Sequence, residues 1–507
     1  MNKTRTWQSI LFSDLGILIL LAGVRCLPLL LTNGQLGWHR DELDTLANAR
    51  TLTWGYVSYP PVAPFIARVA LTLFGPSMAS VRLFSTLAQA IALVLAGLMA
   101  RELGGRRWAQ VAAAVAVMIA PYALLEGVLF HYSSFDYLWW VLIAYLMIRL
   151  LKSDDPRWWL GIGAVIGVGM LTKYTMAYLV AGIVAGVLLT RARRYLASPW
   201  LWRGVGLAVF LVLPNLIWQI QHDFISLEFL SSIHARDVRA GRTEGFLVEQ
   251  LIFATNPVTV PLWVAGLYFY FFAKMGRNYR LIGWMYLVPF VLLLVTKGRS
   301  YYLAPAYPML FAGGAVLIEQ GLVALPARRA RIVEGIIWGA FAIGGLLYAV
   351  IALPIAPVNS RAWDIASGIN GELKEQIGWP ELVETVAGIY AALPAEDKPR
   401  AGILAGNYGE QGAIDLYGPA YGLPKAISGV NSYWLRGYGD PPPQTLIVIG
   451  FSFVEAQSLF ESCRTAGLVT NRFGVKNEET REHPVIQLCR GPRQPWPELW
   501  PRLRSFG

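Results

Sequence analysis

The stretch S-D-L-G-I-L-I-L-L-A-G-V-R-C-L-P-L-L-L, Ser13 to Leu31, is followed a few residues on by G-W-H-R-D-E-L-D, Gly37 to Asp44. An apolar run of this length suits a bilayer, whose hydrocarbon core of about 30 Å takes roughly 20 helical residues. Two adjacent carboxylates, Asp41 and Glu42, stand just beyond it, beside His39 and Arg40. The short basic start, with Lys3 and Arg5, reads as the flank of an uncleaved first span.

The same pattern of apolar run and charged connection recurs along the chain. Further runs cover Ala79 to Ala100, Ala109 to Leu125, Tyr137 to Leu151, Trp158 to Leu171 and Met176 to Leu189. They continue with Leu201 to Ile220, Val258 to Ala273, Leu281 to Val295, Ala304 to Ile318 and Ile332 to Leu353. The expected fold is therefore a polytopic α-helical membrane protein with about eleven transmembrane helices, residues 1–354. Composition agrees: 55% of the 507 residues are hydrophobic and 15% charged, against about 25% charged in soluble domains.

The connections carry an orientation signal. Arg101, Arg106 and Arg107 fall in one loop, Lys152 and Arg157 in another, and Arg191, Arg193 and Arg194 in a third. Lys274, Arg277 and Arg280, then Arg328, Arg329 and Arg331, follow in alternate loops, so this set is expected on the cytoplasmic side. The longer segments, above all residues 34–78 and 221–257, then face outward, where function is expected. The net charge of +11 is distributed in these short clusters and not along one face, which argues against nucleic acid as a partner.

After about Pro354 the chain changes character. Strand-like runs at Ala401–Leu404, Thr445–Gly450 and Val485–Leu488 alternate with helix-like stretches, so residues 355–507 are expected to form a small periplasmic α/β domain. If this region is outside the cytoplasm, Cys463 and Cys489 can pair, whereas Cys26 sits in an apolar run as packing.

Beyond the D-E pair, the first outer loop continues to W-G-Y-V-S-Y-P-P, Trp54 to Pro61. A D-E pair followed some seventeen residues later by a Y-P-P turn, directly after the first span, resembles the membrane glycosyltransferases of the GT-C class. The resemblance is to glycosyltransferase family 39 and its bacterial relatives, the protein O-mannosyltransferases and aminoarabinose transferases among them. Three further segments resemble the same family: E-G-V-L-F-H-Y-S-S-F-D, Glu126 to Asp136; L-T-K-Y, Leu171 to Tyr174; and K-G-R-S-Y-Y-L-A-P-A-Y-P, Lys297 to Pro308.

The resemblance implies roles. Asp41 takes the place of the catalytic base, with Glu42 as a supporting acid. Lys173, Lys297 and Arg299, with Tyr301, Tyr302 and Tyr59, fall at positions for the donor phosphate and sugar; Tyr59 stands where many relatives carry Lys or His. Arg and Lys on an outer face suit a phosphate anion. His39, Glu126, His131 and Asp136 are substrate-side candidates. So are Asn407, Glu410 and Asn431, from A-G-N-Y-G-E-Q-G-A-I-D and S-G-V-N-S-Y-W in the tail. Each has a structural alternative: a solvated loop acid for Asp41, a helix cap for Asp136, a snorkelling Lys173, turn formation for Asn407, Glu410 and Asn431.

The implied reaction moves a sugar from a polyprenyl-phosphate donor to a lipid, glycan or protein acceptor with inversion, at the outer face of a bacterial inner membrane. The expected site is a cleft between residues 34–78 and the tail. No cofactor is required. A divalent metal stays open, with His39, Asp41, Glu42, His131 and Asp136 as possible ligands. The alternatives are a transporter or flippase of polyprenyl-phosphate sugars, which would explain the spans and outer charges without a reaction, and a non-catalytic scaffold.

Overall fold

A computed structural model describes residues 13–32 and 34–507. The basic start with Lys3 and Arg5 lies outside the described residues. Each of the eleven apolar runs is helical, from Asp14–Thr32 to Ala327–Ala352. The third is broken, with Arg107–Met118 and Pro121–Glu126 separated at a proline, which lacks the amide a continuing helix needs.

Among the described residues six helices are long and apolar enough to cross a membrane, and up to eight if two bent pairs each count as one span. The expected count of about eleven counted runs, whereas Arg107–Met118 and Trp158–Met170 are apolar but short. Met176–Leu189 meets Arg191–Ala197 at a 99° bend, and Phe246–Ala254 meets Pro257–Phe271 at 95°.

Contacts divide the chain into two compact units. The helical unit gathers Asp14–Thr32, Ala79–Ile220 and Arg236–Leu353; the second gathers Gly34–Met78, Gln221–Ala235 and Pro354–Gly507.

In the helical unit, small residues set the packing, as expected where no hydrophobic effect drives helices together. Gly163 of Trp158–Met170 lies so close to Gly204 of Pro199–Gln221 that a Cβ there would sit 2.1 Å from the Gly204 carbonyl oxygen. Polar groups inside this unit are matched to exposed backbone. Arg25 donates to the Ala123 carbonyl at 2.6 Å, at the short helix beyond the break. Glu319 accepts from the backbone amides of Arg106 and Ala109, at 2.7 and 3.1 Å, closing a helix N-terminus.

The second unit contains a five-stranded sheet of order β2-β1-β3-β5-β4. Its strands are β1 Ala401–Ala405, β2 Ala426–Ser428, β3 Thr445–Ile449, β4 Phe460–Leu468 and β5 Val485–Pro492. β1 runs parallel to β2 and β3, and β5 antiparallel to β3 and β4. β3 is buried throughout, as a central strand with apolar faces on both sides should be. Leu404, Leu446, Val448 and Phe460 pack with Trp496 and Trp500 in one apolar core. Cys463 and Cys489, opposite each other on β4 and β5, form a disulfide.

The loop after the first helix belongs to this unit. Its helix Arg40–Arg50 packs on the helix Tyr408–Tyr417, which follows β1. Glycine makes the approach possible: a Cβ at Gly412 would lie 2.7 Å from the Leu43 carbonyl carbon, and one at Gly409 would lie 3.0 Å from the Arg40 Cβ.

Candidate functional site

The second unit presents the first group of candidates. The helix Arg40–Arg50 begins in a capping box. His39 is the cap and accepts from the Asp41 amide through Nδ1 at 3.2 Å, while Glu42 Oε2 accepts from the His39 amide at 2.8 Å. Glu42 is fully buried, and this bond commits its carboxylate to closing the helix. Asp41 projects from the first turn, where the helix dipole favours negative charge. Its side chain is 36% exposed.

Asp41 is nonetheless held. Tyr408 donates its hydroxyl hydrogen to Asp41 Oδ1 at 2.9 Å, and His39 Nδ1 lies 3.8 Å from Oδ2. On its far side His39 Nε2 is 2.7 Å from Glu372 Oε2. Burial alone would push the imidazole down. The bond to Glu372 and the charges of Asp41, Glu372 and Glu42 outweigh it and hold His39 up at about 9. Nε2 carries the hydrogen toward Glu372, and Nδ1 accepts from the Asp41 amide only while it is unprotonated.

Arg40 lies over the Tyr408 ring, 4.7 Å from its centroid, and pairs with Glu478 and, at 3.8 Å, Glu375. One turn along the same helix, Asp44 is buried. Its Oδ2 accepts from the Tyr59 hydroxyl at 2.5 Å and from Asn48 at 3.1 Å. Burial pushes Asp44 up to about 6 against the Tyr59 bond and the Arg436 charge. Arg436 reaches the same helix through Asn48 Oδ1 at 2.6 Å. Tyr59, a donor-side candidate, is thus engaged inside this buried network.

The tail candidates organise backbone. Asn407 and Glu410 form the capping box of Tyr408–Tyr417. Glu410 Oε2 accepts from the amides of Gly406 and Asn407 at 3.0 and 3.1 Å. Asn431 has left-handed backbone, φ 50°, and its side-chain oxygen accepts from the Gly507 amide at 3.2 Å. In these positions Asn407 and Glu410 fix the helix turn that carries Tyr408.

The second group lies in the helical unit. L-T-K-Y forms the turn between Trp158–Met170 and Met176–Leu189. Lys173 is 7% exposed and donates to Ser133 Oγ at 2.8 Å. Its ammonium faces the rings of Tyr132, Tyr301 and Tyr302, at 5.2, 5.1 and 4.6 Å from their centroids. Asp136, Glu126 and Arg299 all act on it electrostatically. A snorkelling lysine would instead be exposed.

Arg299 grips Asp237 through two nitrogens, at 2.6 and 2.8 Å, and donates to the Tyr301 hydroxyl at 3.1 Å. Tyr301 stacks on Tyr122. Lys297 is exposed, with left-handed backbone. Asp136 stands within the first turns of Tyr132–Ser153, bound by Trp140 at 3.2 Å and Thr175 at 3.1 Å, so it does not cap the helix. His131 Nδ1 is 3.5 Å from Glu126 Oε2.

Within the second unit the structure brings together His39, Asp41 and Glu42. In the helical unit it brings together Lys173, Arg299, Tyr301 and Tyr302, with Glu126 and Asp136 near enough to act on Lys173. Among the described residues no group of three or more His, Cys, Asp or Glu side chains is placed to hold a metal ion. The partners missing from the sequence reading are Tyr408, Glu372, Ser133 and Asp237. Of these, Tyr408 lies inside the singled-out segment Ala405 to Asp415.

The family model for dolichyl-phosphate-mannose-protein mannosyltransferase matches residues 58–218. Over 219 residues the chain is 28% identical to the lipid A galacturonosyltransferase RgtD of Rhizobium johnstonii, a match covering 41% of this chain. That match spans 44% of the relative's length, so less than half of the curated protein is matched. Among solved structures, ArnT from Cupriavidus metallidurans bound to undecaprenyl phosphate aligns with TM-score 0.55 at 15% identity, over 95% of this chain and all of that one. The arabinofuranosyltransferase AftD from mycobacteria aligns with TM-score 0.54 at 13% identity, over 94% of this chain and 42% of that one. At such identities the structures speak for the fold, which is helical and membrane-type like that of ArnT. The sequence matches and the shared fold support the resemblance read from the motifs, to glycosyltransferases of the GT-C class and family 39.

Proposed function

We propose that this protein transfers a sugar from a polyprenyl-phosphate-linked donor to an acceptor hydroxyl or amine, at the outer face of a bacterial inner membrane. The observation that carries this reading is Asp41. In a helix whose Glu42 and Asp44 carboxyls are buried and committed, its carboxylate is both reachable and fixed. Asp41 accepts the acceptor's proton as the acceptor attacks the anomeric carbon. The bond to the lipid phosphate breaks, and the configuration inverts. A single carboxylate suffices, because the leaving group is a phosphate and no glycosyl-enzyme forms.

The helical unit carries a basic cluster of its own, suited to a phosphate anion. Lys173, backed by tyrosine rings, and Arg299, prefolded against Asp237, stabilise negative charge developing on the phosphate. The relatives lend support in kind: RgtD is a lipid A galacturonosyltransferase, and the matched ArnT structure holds undecaprenyl phosphate. Lipid A, another glycan or a protein are the candidate acceptors, and galacturonic acid is the first donor sugar to try.

The test is transfer of radiolabelled sugar from a panel of undecaprenyl-phosphate donors to membrane-extract acceptors, by the purified native chain and Asp41→Asn. Transfer by the native chain, lowered about 10²- to 10⁴-fold in Asp41→Asn, is expected for a lost general base. Binding of undecaprenyl phosphate by both proteins, with transfer by neither, would favour the flippase reading instead.

A further inference from the structure

The bond between Tyr408 and Asp41 joins residues 367 positions apart. It is built from several independent features. The capping box of Asn407 and Glu410 fixes the first turn on which Tyr408 stands. Gly409 and Gly412 let this helix lie against Arg40–Arg50 more closely than any side chain would permit. Arg40 covers the Tyr408 ring and is itself anchored by Glu478 and Glu375. A phenol has one hydrogen to give, and here it goes to Oδ1 of a carboxylate in a partly exposed site.

We propose that Tyr408 is the positioning residue of Asp41: its hydroxyl fixes the orientation of the carboxylate and keeps it ionised. This deepens the general-base reading above and rests on it for its functional meaning. A hydrogen bond to the charged form stabilises that form. Tied at Oδ1 to Tyr408, the carboxylate meets an incoming hydroxyl or amine in one fixed orientation. The tail helix thereby becomes part of the catalytic machinery without touching substrate. Tyr408 itself stays protonated, since burial and then the Asp41 charge raise it well above the usual phenol range.

Other charges bear on Asp41 as well. On its own helix these are His39, Arg40, Glu42 and Asp44; Glu372 lies behind His39, and Glu375, Glu478 and Glu479 surround Arg40. The experiment therefore changes only the donor atom.

Titration of Asp41 can be followed without substrate, by carbodiimide labelling of its protonated form across pH 4–8 with peptide mass spectrometry. In Tyr408→Phe, which keeps the ring under Arg40, the labelling midpoint is expected to rise by about one pH unit. With 3,5-difluorotyrosine at position 408, a stronger donor of the same shape, it is expected to fall. Transfer assays should show kcat down about tenfold in Tyr408→Phe, with the donor KM unchanged. A tyrosine that only packs would move neither midpoint, and fixed midpoints in both variants would overturn the proposal. If the Phe variant does not fold, the difluorotyrosine protein decides alone. An inactive Asp41→Asn with unmoved midpoints leaves the base reading standing and removes Tyr408. An active Asp41→Asn removes the base reading, whatever the midpoints do.

Discussion

Glu410 shows how a residue can serve shape and still carry a titration. It accepts two backbone amides at the start of Tyr408–Tyr417. Burial nevertheless pushes its carboxyl up to about 8, helped by Glu479 and opposed by those same amides and by Arg40. Glu479 is raised for the same first reason, to about 7. His39 is held at about 9 against burial by Glu372, Asp41 and Glu42. All three bind protons more tightly folded than unfolded. Their contribution is therefore fully present below their ordinary values and is lost as pH rises through about 7 to 9. The second unit should melt at a lower temperature at pH 9 than at pH 6, by differential scanning fluorimetry in detergent. Glu410→Gln should flatten this dependence, since an amide oxygen still accepts from the backbone and no longer titrates. A pH slope that is unchanged in Glu410→Gln would place the linkage elsewhere.

At the scale of elements, the approach of two helices matters more than any one contact. Gly412 has no room for a side chain against Leu43, whereas a Cβ at Gly388, on the exposed face of Trp379–Ala391, meets nothing within 4 Å. Gly388→Ala should stabilise by about 1 kcal/mol through helix propensity. The same change at Gly412 should destabilise by about 1–3 kcal/mol through overpacking. Thermal unfolding of the two variants side by side separates these effects, because the substitution is chemically identical. Similar shifts at both positions would refute the close approach. This contrast also shows what sequence could and could not tell. The apolar helices were legible because a chain in lipid must satisfy its own backbone, and long apolar runs betray that. The strands β1, β3 and β5 were legible as short apolar runs between polar and turn-forming stretches. β2, three residues long, and β4, F-E-S-C-R-T-A-G-L, carry no such pattern and form by pairing with a neighbour already in place. Bends at Thr190 and near Asn256 shorten helices that read as full spans. The Asp41 motif was visible, but Tyr408 and Asp237 were not, because partners 367 and 62 residues away leave no local periodicity.

For the whole molecule, two independent features bear on which side of the membrane the second unit faces. Arg and Lys cluster in alternate connections of the helical unit, at Arg101–Arg107, Arg191–Arg194 and Arg328–Arg331, the signature of cytoplasmic loops. The second unit closes a disulfide between neighbouring strands, and such bonds persist in oxidising compartments. Both features are those expected of an outward-facing second unit, the side that the proposed transfer requires. Cysteines placed singly at Arg193 and Arg329 should resist a membrane-impermeant maleimide in intact spheroplasts and react after lysis. A cysteine at Val454, 77% exposed in the second unit, should react without lysis. Replacing Cys463 and Cys489 by Ser should lower the stability of the second unit by about 3 kcal/mol, the scale expected for a loop of this size. It should leave the labelling pattern unchanged, since the positive loops and not the disulfide set orientation. Protection of Val454Cys in intact spheroplasts would put the second unit in the cytoplasm, and Asp41 with it, on the wrong face for an outer-leaflet donor.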